Sequence, residues 1–263
     1  MDLGLRGKVA LVAAASKGLG RAVADELAAE GASLVICARG EESLEKARSE
    51  IAGATGARVI AVAGDVSSAD DVARIAGAGL DQFGRIDILV TNAGGPPSGK
   101  VESLTPEMWQ SAVDLTLMSV VNLTTHVLPG MKERKWGRII NINSIAAKQP
   151  VDGLMLSNSI RSAVTGFART LANEVATHGI TVNSILAGYT RTLRVEQLAE
   201  AASKREGVSR ETALGRWEAE IPMGRLGEPR EFAALAAFLA SERASYITGS
   251  SIAVDGGWIK SLL

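Results

Sequence analysis

The sequence predicts an α/β fold in which a doubly wound, mostly parallel sheet of seven strands carries helices on both faces. Short apolar runs alternate with longer segments of helical periodicity along the whole chain. These runs lack polar residues at every second position, which is typical of parallel strands buried on both faces. No linker, repeat or low-complexity segment interrupts the sequence. We therefore predict a single domain over residues 1–263.

The first half of the chain supplies four strands and four helices in strict alternation. The predicted strands are 8–14, 33–38, 57–66 and 86–94, and the predicted helices are 20–31, 41–53, 67–84 and 106–131. Gly31 is a signal for the end of the first helix. Ser67 or Ser68 is suited to cap the start of the third. A loop rich in glycine and proline follows the fourth strand.

The second half continues with strands 137–143 and 180–186, and a final strand lies within 252–257. Between the first two, residues 154–176 form an amphipathic helix whose apolar stripe is Ile160, Val164, Phe167, Leu171 and Val175. Residues 189–223 break the rhythm. They are charged and helix-prone, and they follow the carboxyl end of a strand, where open α/β sheets bind ligands. This segment is either a substrate lid or a solvated surface excursion.

Composition excludes several classes of function. The net charge is −1 with both signs interspersed, which gives no basis for binding nucleic acid or an anionic membrane. No stretch of 18 apolar residues predicts a membrane span. The single cysteine, Cys37, cannot form an internal disulfide, which fits the reducing cytoplasm. We expect a cytoplasmic protein that acts on a small molecule and binds no metal.

The segment AAASKGLGRAV joins the first strand to the first helix. Gly18 and Gly20 would let the backbone approach a pyrophosphate, and the helix start offers free N–H groups. Their place in a strand–helix unit favours this interpretation over glycines that only tighten a turn. Ala14 stands where the first glycine of such a turn is usual. Alanine can serve there if it keeps a negative φ, but it narrows the turn.

The end of the second strand, ICARG, indicates which dinucleotide binds. An NAD site needs a carboxylate here for the ribose 2′-hydroxyl, and Ala38 and Arg39 supply none. The planar fork of Arg39 suits a 2′-phosphate, and Lys17 adds positive charge nearby. We therefore predict NADP(H) in preference to NAD(H). The alternative is that Arg39 faces solvent at a strand end.

Six stretches together resemble the short-chain dehydrogenase/reductase family over nearly the full chain. They are AAASKGLG at 13–20, DV at 65–66, TNAG at 91–94, GRIININS at 137–144, AGYTRT at 187–192 and the C-terminal segment 224–257. The resemblance implies a Rossmann-type domain that binds NAD(P)(H). With the turn and the second strand it places the cofactor against Ala14, Ser16, Lys17, Gly18, Leu19, Gly20, Arg39, Asp65, Val66, Asn92, Ala93, Gly94, Arg161, Gly188 and Thr192.

The resemblance also implies an active-site set of Asn, Ser, Tyr and Lys, in which the tyrosine is the general acid/base. Ser144 matches the serine of this set. The tyrosine position falls on Ser157, the lysine position on Arg161 and the asparagine position on Thr116. Both flanks align without a gap. Only the serine is therefore kept, and Ser157, Arg161 and Thr116 are the candidate catalytic residues in the other places.

The replacements change what the site can do with a proton. A serine hydroxyl is a much weaker acid than a phenol, whose pKa is about 10. Arg161 keeps the positive charge and could hold ribose hydroxyls or an oxyanion, but it cannot act as an acid. The neighbouring Asn158 and Ser159 are predicted to start and cap the helix.

Few other groups could donate a proton or bind a substrate. Tyr189 is the one phenol expected near the site, although packing under the lid is the simpler role. Asp152 could serve if burial raised its pKa. Arg191 and Arg194 open the lid segment and could bind a substrate carboxylate or phosphate, or could simply be solvated. His126 is expected to pack within its helix.

Two functions remain open. The first is an NADP(H)-dependent oxidoreductase with an atypical active site, acting on an enone, a protonated imine or a quinone-like acceptor. The second is a catalytically impaired NADP(H)-binding regulator or structural subunit. The resemblance implies a homotetramer or homodimer in either case.

Overall fold

The computed structural model describes residues 2–262 and contains the predicted doubly wound sheet. Its strands are β1 (Val9–Val12), β2 (Ser33–Ala38), β3 (Val59–Ala63), β4 (Ile88–Thr91), β5 (Gly137–Ser144), β6 (Ile180–Ala187) and β7 (Ser251–Val254). They form one seven-stranded sheet in the order β3-β2-β1-β4-β5-β6-β7. Every pairing is parallel. The predicted fold class is therefore confirmed.

The helices follow the strands along the chain. They are α1 (Gly18–Ala29), α2 (Glu41–Thr55), α3 (Ala69–Phe83), α4 (Pro106–Val113), α5 (Ser119–Glu133), α6 (Met155–Val175), α7 (Leu193–Glu206), α8 (Arg210–Glu220) and α9 (Pro229–Ala240). Ser68 caps α3, and its Oγ accepts from the Asp71 N–H at 3.3 Å. The third helix therefore begins with the second of the two predicted serines.

The sheet separates two apolar layers, which explains why its strands are apolar throughout. In β2, Leu34 and Ile36 pack into the layer that also contains Phe232 of α9. Val35 and Cys37 point the other way, into the layer built with α3, α5 and α6. Burial on both faces removes any need for polar residues at alternate positions.

The strand order reverses between β1 and β4, which are direct neighbours. The chain passes from β1 to β2 and β3 on one side and from β4 to β5 and β6 on the other. Loops on the two sides therefore diverge at the carboxyl edge and leave a crevice, the usual ligand site of open α/β sheets. The turns after β1, β4, β5 and β6 all open onto this crevice.

The predicted long helix 106–131 is interrupted in the structure by a wide π-helical turn at Asp114–Met118. The run Pro106–Glu133 is long and apolar enough to cross a membrane by length and composition alone. Its Leu123, Val127 and Met131 instead pack against the sheet. The π turn carries Thr116, and such turns occur frequently at functional sites.

The start of α6 differs from the prediction. The helix begins at Met155, and neither Asn158 nor Ser159 caps it. Asn158 instead accepts from the Val151 N–H at 3.1 Å and donates to the Val151 carbonyl at 3.0 Å. The Asn158 side chain thereby holds the loop before α6 against the first turn of the helix. Ser157, in that first turn, is buried.

The segment after β6 forms α7 and α8. Val195 packs with Ile221 and Trp258 in a small apolar cluster beside the carboxyl edge of the sheet. The segment is thus attached to the domain by an apolar face of its own.

Candidate active site

A cavity of about 600 Å³ occupies the crevice at the carboxyl edge of the sheet. It extends from the turn between β1 and α1 to the first turn of α7. Most of the predicted site residues line it. They are Ala14, Ser16, Lys17, Gly18, Leu19, Arg39, Asp65, Val66, Asn92, Ala93, Gly94, Ser144, Ser157, Arg161, Gly188, Tyr189 and Thr192.

The turn at the foot of the cavity departs from the expected backbone at Ala14. Its φ is +49°, in the left-handed region, whereas an alanine here was expected to serve only with a negative φ. The Asn92 amide donates to the Ala14 carbonyl at 3.4 Å, and Gly18 follows with a φ of +64°. The turn therefore keeps a left-handed conformation at its first position, and alanine adopts it despite the contact between its methyl group and the carbonyl.

Gly20 is required for close packing of the turn on α1. A Cβ at this position would lie 2.5 Å from the Ala14 carbonyl oxygen and 2.9 Å from that of Ala13. Lys17 stands at the N-cap of α1 without a side-chain cap, so the first N–H groups of the helix face the cavity. This cradle has the shape and the partial positive charge that a pyrophosphate needs.

Positive charge also surrounds the end of β2. Arg39 lines the cavity, yet its side chain is 77% exposed, and its nearest acid is Asp65 at 3.8 Å. Asp65 is in turn held by Ser67, whose hydroxyl donates to it at 2.7 Å. Such an exposed ion pair is weak, so Arg39 is free to turn towards a phosphate.

Close backbone packing places the remaining cofactor candidates. A Cβ at Gly188 would lie 2.6 Å from the Asp255 Cα, so the chain after β6 passes tightly beside the end of β7. Thr192 then donates from its hydroxyl to the Thr190 carbonyl at 3.2 Å. A Cβ at Gly18 would lie 3.9 Å from the Thr192 Cγ2, so Thr192 stands beside the glycine turn after β1.

Ser157 and Arg161 lie one helical turn apart on α6 and form a pair. The Arg161 Nε donates to the Ser157 Oγ at 3.2 Å. A second guanidinium nitrogen reaches the Asn143 Oδ1 and the Ile142 carbonyl, each at 3.5 Å. Ser144, at the end of β5, lines the same cavity and accepts from the Ala146 N–H at 3.2 Å.

Asn143 is a site residue that the sequence interpretation missed. Its amide donates to the Arg161 carbonyl at 3.1 Å and to the Thr165 hydroxyl at 3.2 Å, and its oxygen accepts from the Ser144 N–H at 3.0 Å. It therefore ties the end of β5 to α6. A polar amide inside the apolar strand GRIININS was the signal that could have found it.

No carboxylate pairs with Arg161 within residues 2–262. Burial, together with the smaller effect of repulsion from Arg194, lowers the pKa of the guanidinium to about 10. The group remains charged near neutrality. The inner end of the cavity therefore carries a cation that only a hydroxyl, an amide and a carbonyl solvate.

Thr116, the third replacement, faces a separate small cavity of about 10 Å³ beneath Arg161. Its Oγ1 has no hydrogen-bond partner in the described part of the chain, although the residue is buried. Ser119 and Asn143 also line this space, which is roomy enough for one water. Thr116 is thus near Arg161 but not in the main cavity.

Tyr189 forms a wall of the main cavity. Its ring stacks on Trp217 at 4.8 Å between centroids and meets Trp258 edge-on at 5.9 Å. Burial, together with the smaller effects of the negative charges of Glu220 and Asp152, raises the pKa of its phenol to about 12. A donor whose pKa lies this high cannot take the place of a phenol activated by a neighbouring cation.

The two arginines at the start of the segment after β6 lie in different surroundings. Arg191 lies outside the cavity lining and pairs with Glu228 at 3.2 Å and Glu218 at 3.6 Å. Arg194 lines the cavity and donates to the Pro96 carbonyl at 2.8 Å. Of this pair, Arg194 is the one placed to meet a ligand, and burial lowers its pKa.

Two other candidates are exposed and do not line the cavity, although Asp152 is close enough to Tyr189 to contribute to the raised pKa of its phenol. Asp152 is exposed, so its carboxylate is not the buried acid that was considered. His126 was expected to pack but is exposed, and its Nδ1 donates to the Asn122 carbonyl at 2.8 Å. Among residues 2–262 no group of three or more His, Cys, Asp and Glu could hold a metal ion.

Comparison with known proteins gives matches over nearly the whole chain. A family model described as enoyl-(acyl carrier protein) reductase matches residues 13–259. The 3-oxoacyl-(acyl-carrier-protein) reductase FabG of Vibrio cholerae serotype O1 is 36% identical over 255 residues, covering 97% of this chain and 98% of its own length.

Solved structures match equally closely. L-sorbose reductase from Gluconobacter frateurii, complexed with NADPH and L-sorbose, aligns with a TM-score of 0.95 at 36% identity and covers 100% of both chains. Actinorhodin polyketide ketoreductase with NADPH aligns with a TM-score of 0.93 at 35% identity, covering 97% of this chain and 98% of its own.

Proposed function

Because the chain belongs to the short-chain dehydrogenase/reductase family, we propose that it is an NADP(H)-dependent oxidoreductase with Ser157 and Arg161 in place of the family's tyrosine and lysine. It transfers hydride to or from a small organic substrate. The observation that carries this proposal is one continuous cavity that joins the glycine turn after β1 to the Ser157–Arg161 pair on α6.

The residues at the phosphate end fit NADP(H). Gly20 leaves no room for a side chain, and the uncapped start of α1 offers N–H groups to a pyrophosphate. Lys17 and Arg39 supply cations where a 2′-phosphate needs them, and β2 ends without a carboxylate. Two structural relatives are complexed with NADPH, which supports the same choice here.

At the other end of the cavity, the residues stabilise negative charge that develops on the substrate and do not deliver a proton. When bound, NADPH would supply a hydride, and negative charge would then develop on a substrate oxygen or on atoms conjugated with it. Arg161 can hold that charge, and its bond to the Ser157 Oγ fixes the direction of its guanidinium. Neither group is an acid near neutrality. The proton therefore comes from water.

Such a site suits acceptors whose reduced form tolerates a delay before protonation. A carbonyl-conjugated alkene or a quinone-like compound is of this kind, because charge spreads over several atoms as hydride arrives. A simple ketone instead yields a strongly basic alkoxide that needs an acid at once. We propose the conjugated class as substrates, with α7 and α8 as a lid over the cavity.

The test is NADPH oxidation across simple ketones, enones and quinones, with NADPH affinity measured in parallel. Enone or quinone turnover above ketone turnover supports the proposal. A Ser157→Tyr, Arg161→Lys double variant should gain ketone reduction and keep NADPH binding. Absence of turnover on every class, with NADPH bound, would contradict it.

A second candidate is a catalytically impaired NADP(H)-binding regulator or structural subunit. The joint replacement at positions 116, 157 and 161 favours it, because a site released from catalysis keeps its cofactor cradle but not its acid.

We further propose a cytoplasmic protein that assembles as a dimer or tetramer. Cys37 is buried, and burial raises the pKa of its thiol to about 12, so little reactive thiolate forms near neutrality.

A further inference from the structure

The charges along the main cavity are unbalanced. Within the part of the chain that the structure describes, four cations line it, namely Lys17, Arg39, Arg161 and Arg194, and the only acid is Asp65. Asp65 lies beside Arg39 at the phosphate end. The substrate end therefore has two positive groups and no lining carboxylate.

The phosphates of the cofactor account for the cations at one end only, and a ribose hydroxyl held by Arg161 would not balance its charge. Lys17 and Arg39 lie at the ends of β1 and β2, where the phosphates of NADP(H) would bind. Arg161 on α6 and Arg194 on α7 lie on the other side of the crevice, where Ser144, Ser157 and Tyr189 also line the cavity.

Both of these guanidinium groups are solvated by neutral partners. Arg194 donates to the Pro96 carbonyl and rests against Gly95, where a Cβ would lie 2.7 Å from its guanidinium carbon. Arg161 bonds to Ser157 and Asn143. Desolvation lowers the pKa of each, and for Arg161 the charge of Arg194 contributes to the decrease. Holding two like charges close together in a largely desolvated cleft is unfavourable unless an anion joins them.

Arg191 provides the contrast on the same segment. It is 54% exposed and pairs with Glu218 and Glu228, so its charge is balanced within the chain. Arg194, three residues later, has no such carboxylate among residues 2–262. The difference lies in position, since the first turn of α7 directs Arg194 into the cavity.

We propose that Arg161 and Arg194 form an anion subsite and that the substrate carries a carboxylate. This inference rests on the proposed function and names its substrate class. A planar guanidinium binds a carboxylate through two parallel N–H bonds, which gives direction as well as charge. Arg194 holds the carboxylate from the lid side, and Arg161 holds the charge that develops at the reacting end.

The test measures binding rather than turnover. Three pairs of carboxylate and primary amide are titrated into the protein with and without NADP⁺ by calorimetry: crotonate and crotonamide, levulinate and levulinamide, cinnamate and cinnamamide. The carboxylate of at least one pair should bind about tenfold more tightly than its amide, as expected for a charge-assisted hydrogen bond. Arg194→Gln should reduce this ratio to about twofold or less, and Arg191→Gln, the matched control, should leave it unchanged.

Several results would overturn the inference. These are equal binding of every carboxylate and its amide, a ratio that survives Arg194→Gln, or tighter binding of inorganic phosphate than of any carboxylate. Loss of NADPH affinity in Arg194→Gln with an unchanged ratio would instead assign this arginine to the cofactor phosphates and would also overturn it.

Failure of the proposed function is seen separately. A protein that does not bind NADPH contradicts the proposed oxidoreductase, and the ratio in the cofactor-free titration then still decides whether Arg161 and Arg194 bind carboxylates.

Discussion

The turn after β1 contains a left-handed alanine, and replacing it should stabilise the protein. Ala14 has a φ of +49°, in a region where the Cβ of an L-residue approaches its own carbonyl oxygen at a cost of roughly 1–2 kcal/mol. Glycine avoids that contact but makes the unfolded chain more flexible, which costs about 0.4–1 kcal/mol. Ala14→Gly should therefore raise the free energy of unfolding by about 0.5–1 kcal/mol, the difference between these effects.

Equilibrium urea unfolding of the two proteins measures this change, and the melting temperature should rise by about 2 °C for a chain of this size. Ala15→Gly is the matched control in the same turn, because Ala15 is fully buried and is not among the residues with positive φ. It should destabilise the protein by about 1 kcal/mol. If both variants lose stability to the same extent, the strain assigned to Ala14 is not present.

Three further predictions concern the cavity. Gly20→Ala should abolish detectable NADPH binding in a fluorescence titration, because the new methyl group would lie 2.5 Å from the Ala14 carbonyl oxygen. Gly53→Ala is the control and should not change NADPH binding, because the space at its Cβ is open. Arg39→Ala should weaken NADPH binding about tenfold and leave NADH binding unchanged. The control Lys46→Ala should change the affinity for neither cofactor. Equal losses of affinity for both cofactors in Arg39→Ala would refute a 2′-phosphate contact. Tyr189→Phe should leave the pH dependence of turnover unchanged between about pH 6 and 9, because the phenol has a pKa of about 12 and stays protonated there. Since that pKa is raised from 10.0 in the folded protein, Tyr189 should also make the wild type lose stability as pH rises from 10.0 to about 12, and Tyr189→Phe should reduce that loss.

The order of elements could be predicted because each depends on local pattern. Runs such as SLVICA are apolar at consecutive positions, and this requires burial on both faces, which the two layers around β2 provide. The cap at Ser68 was within reach for the same reason, since a serine before Asp70 and Asp71 and an apolar period is a local signal.

What could not be predicted depends on side-chain direction and on contacts distant in sequence. The positive φ of Ala14 accompanies a hydrogen bond that the Asn92 amide donates to the Ala14 carbonyl, and the two residues are 78 positions apart in the sequence. Asn158 looked like a helix start, but the loop at Val151 folds back onto it. Nothing in the sequence distinguished Arg191 from Arg194, since both are arginines that follow the same strand. The start of α7 decides that only Arg194 enters the cavity. The π turn that carries Thr116 leaves no mark in residue type or period.

The most direct test of the account is the fate of a label on the cofactor. The protein is incubated with NADPH deuterated on one face of C4 and a carboxylate-bearing enone, and the product is examined by mass spectrometry. The account predicts one deuterium per product molecule from one face of the cofactor, with solvent hydrogen at the neighbouring carbon and with turnover lowered in Arg161→Gln. Bound NADPH that transfers no deuterium to any enone or quinone would contradict the account and favour a non-catalytic NADP(H)-binding protein.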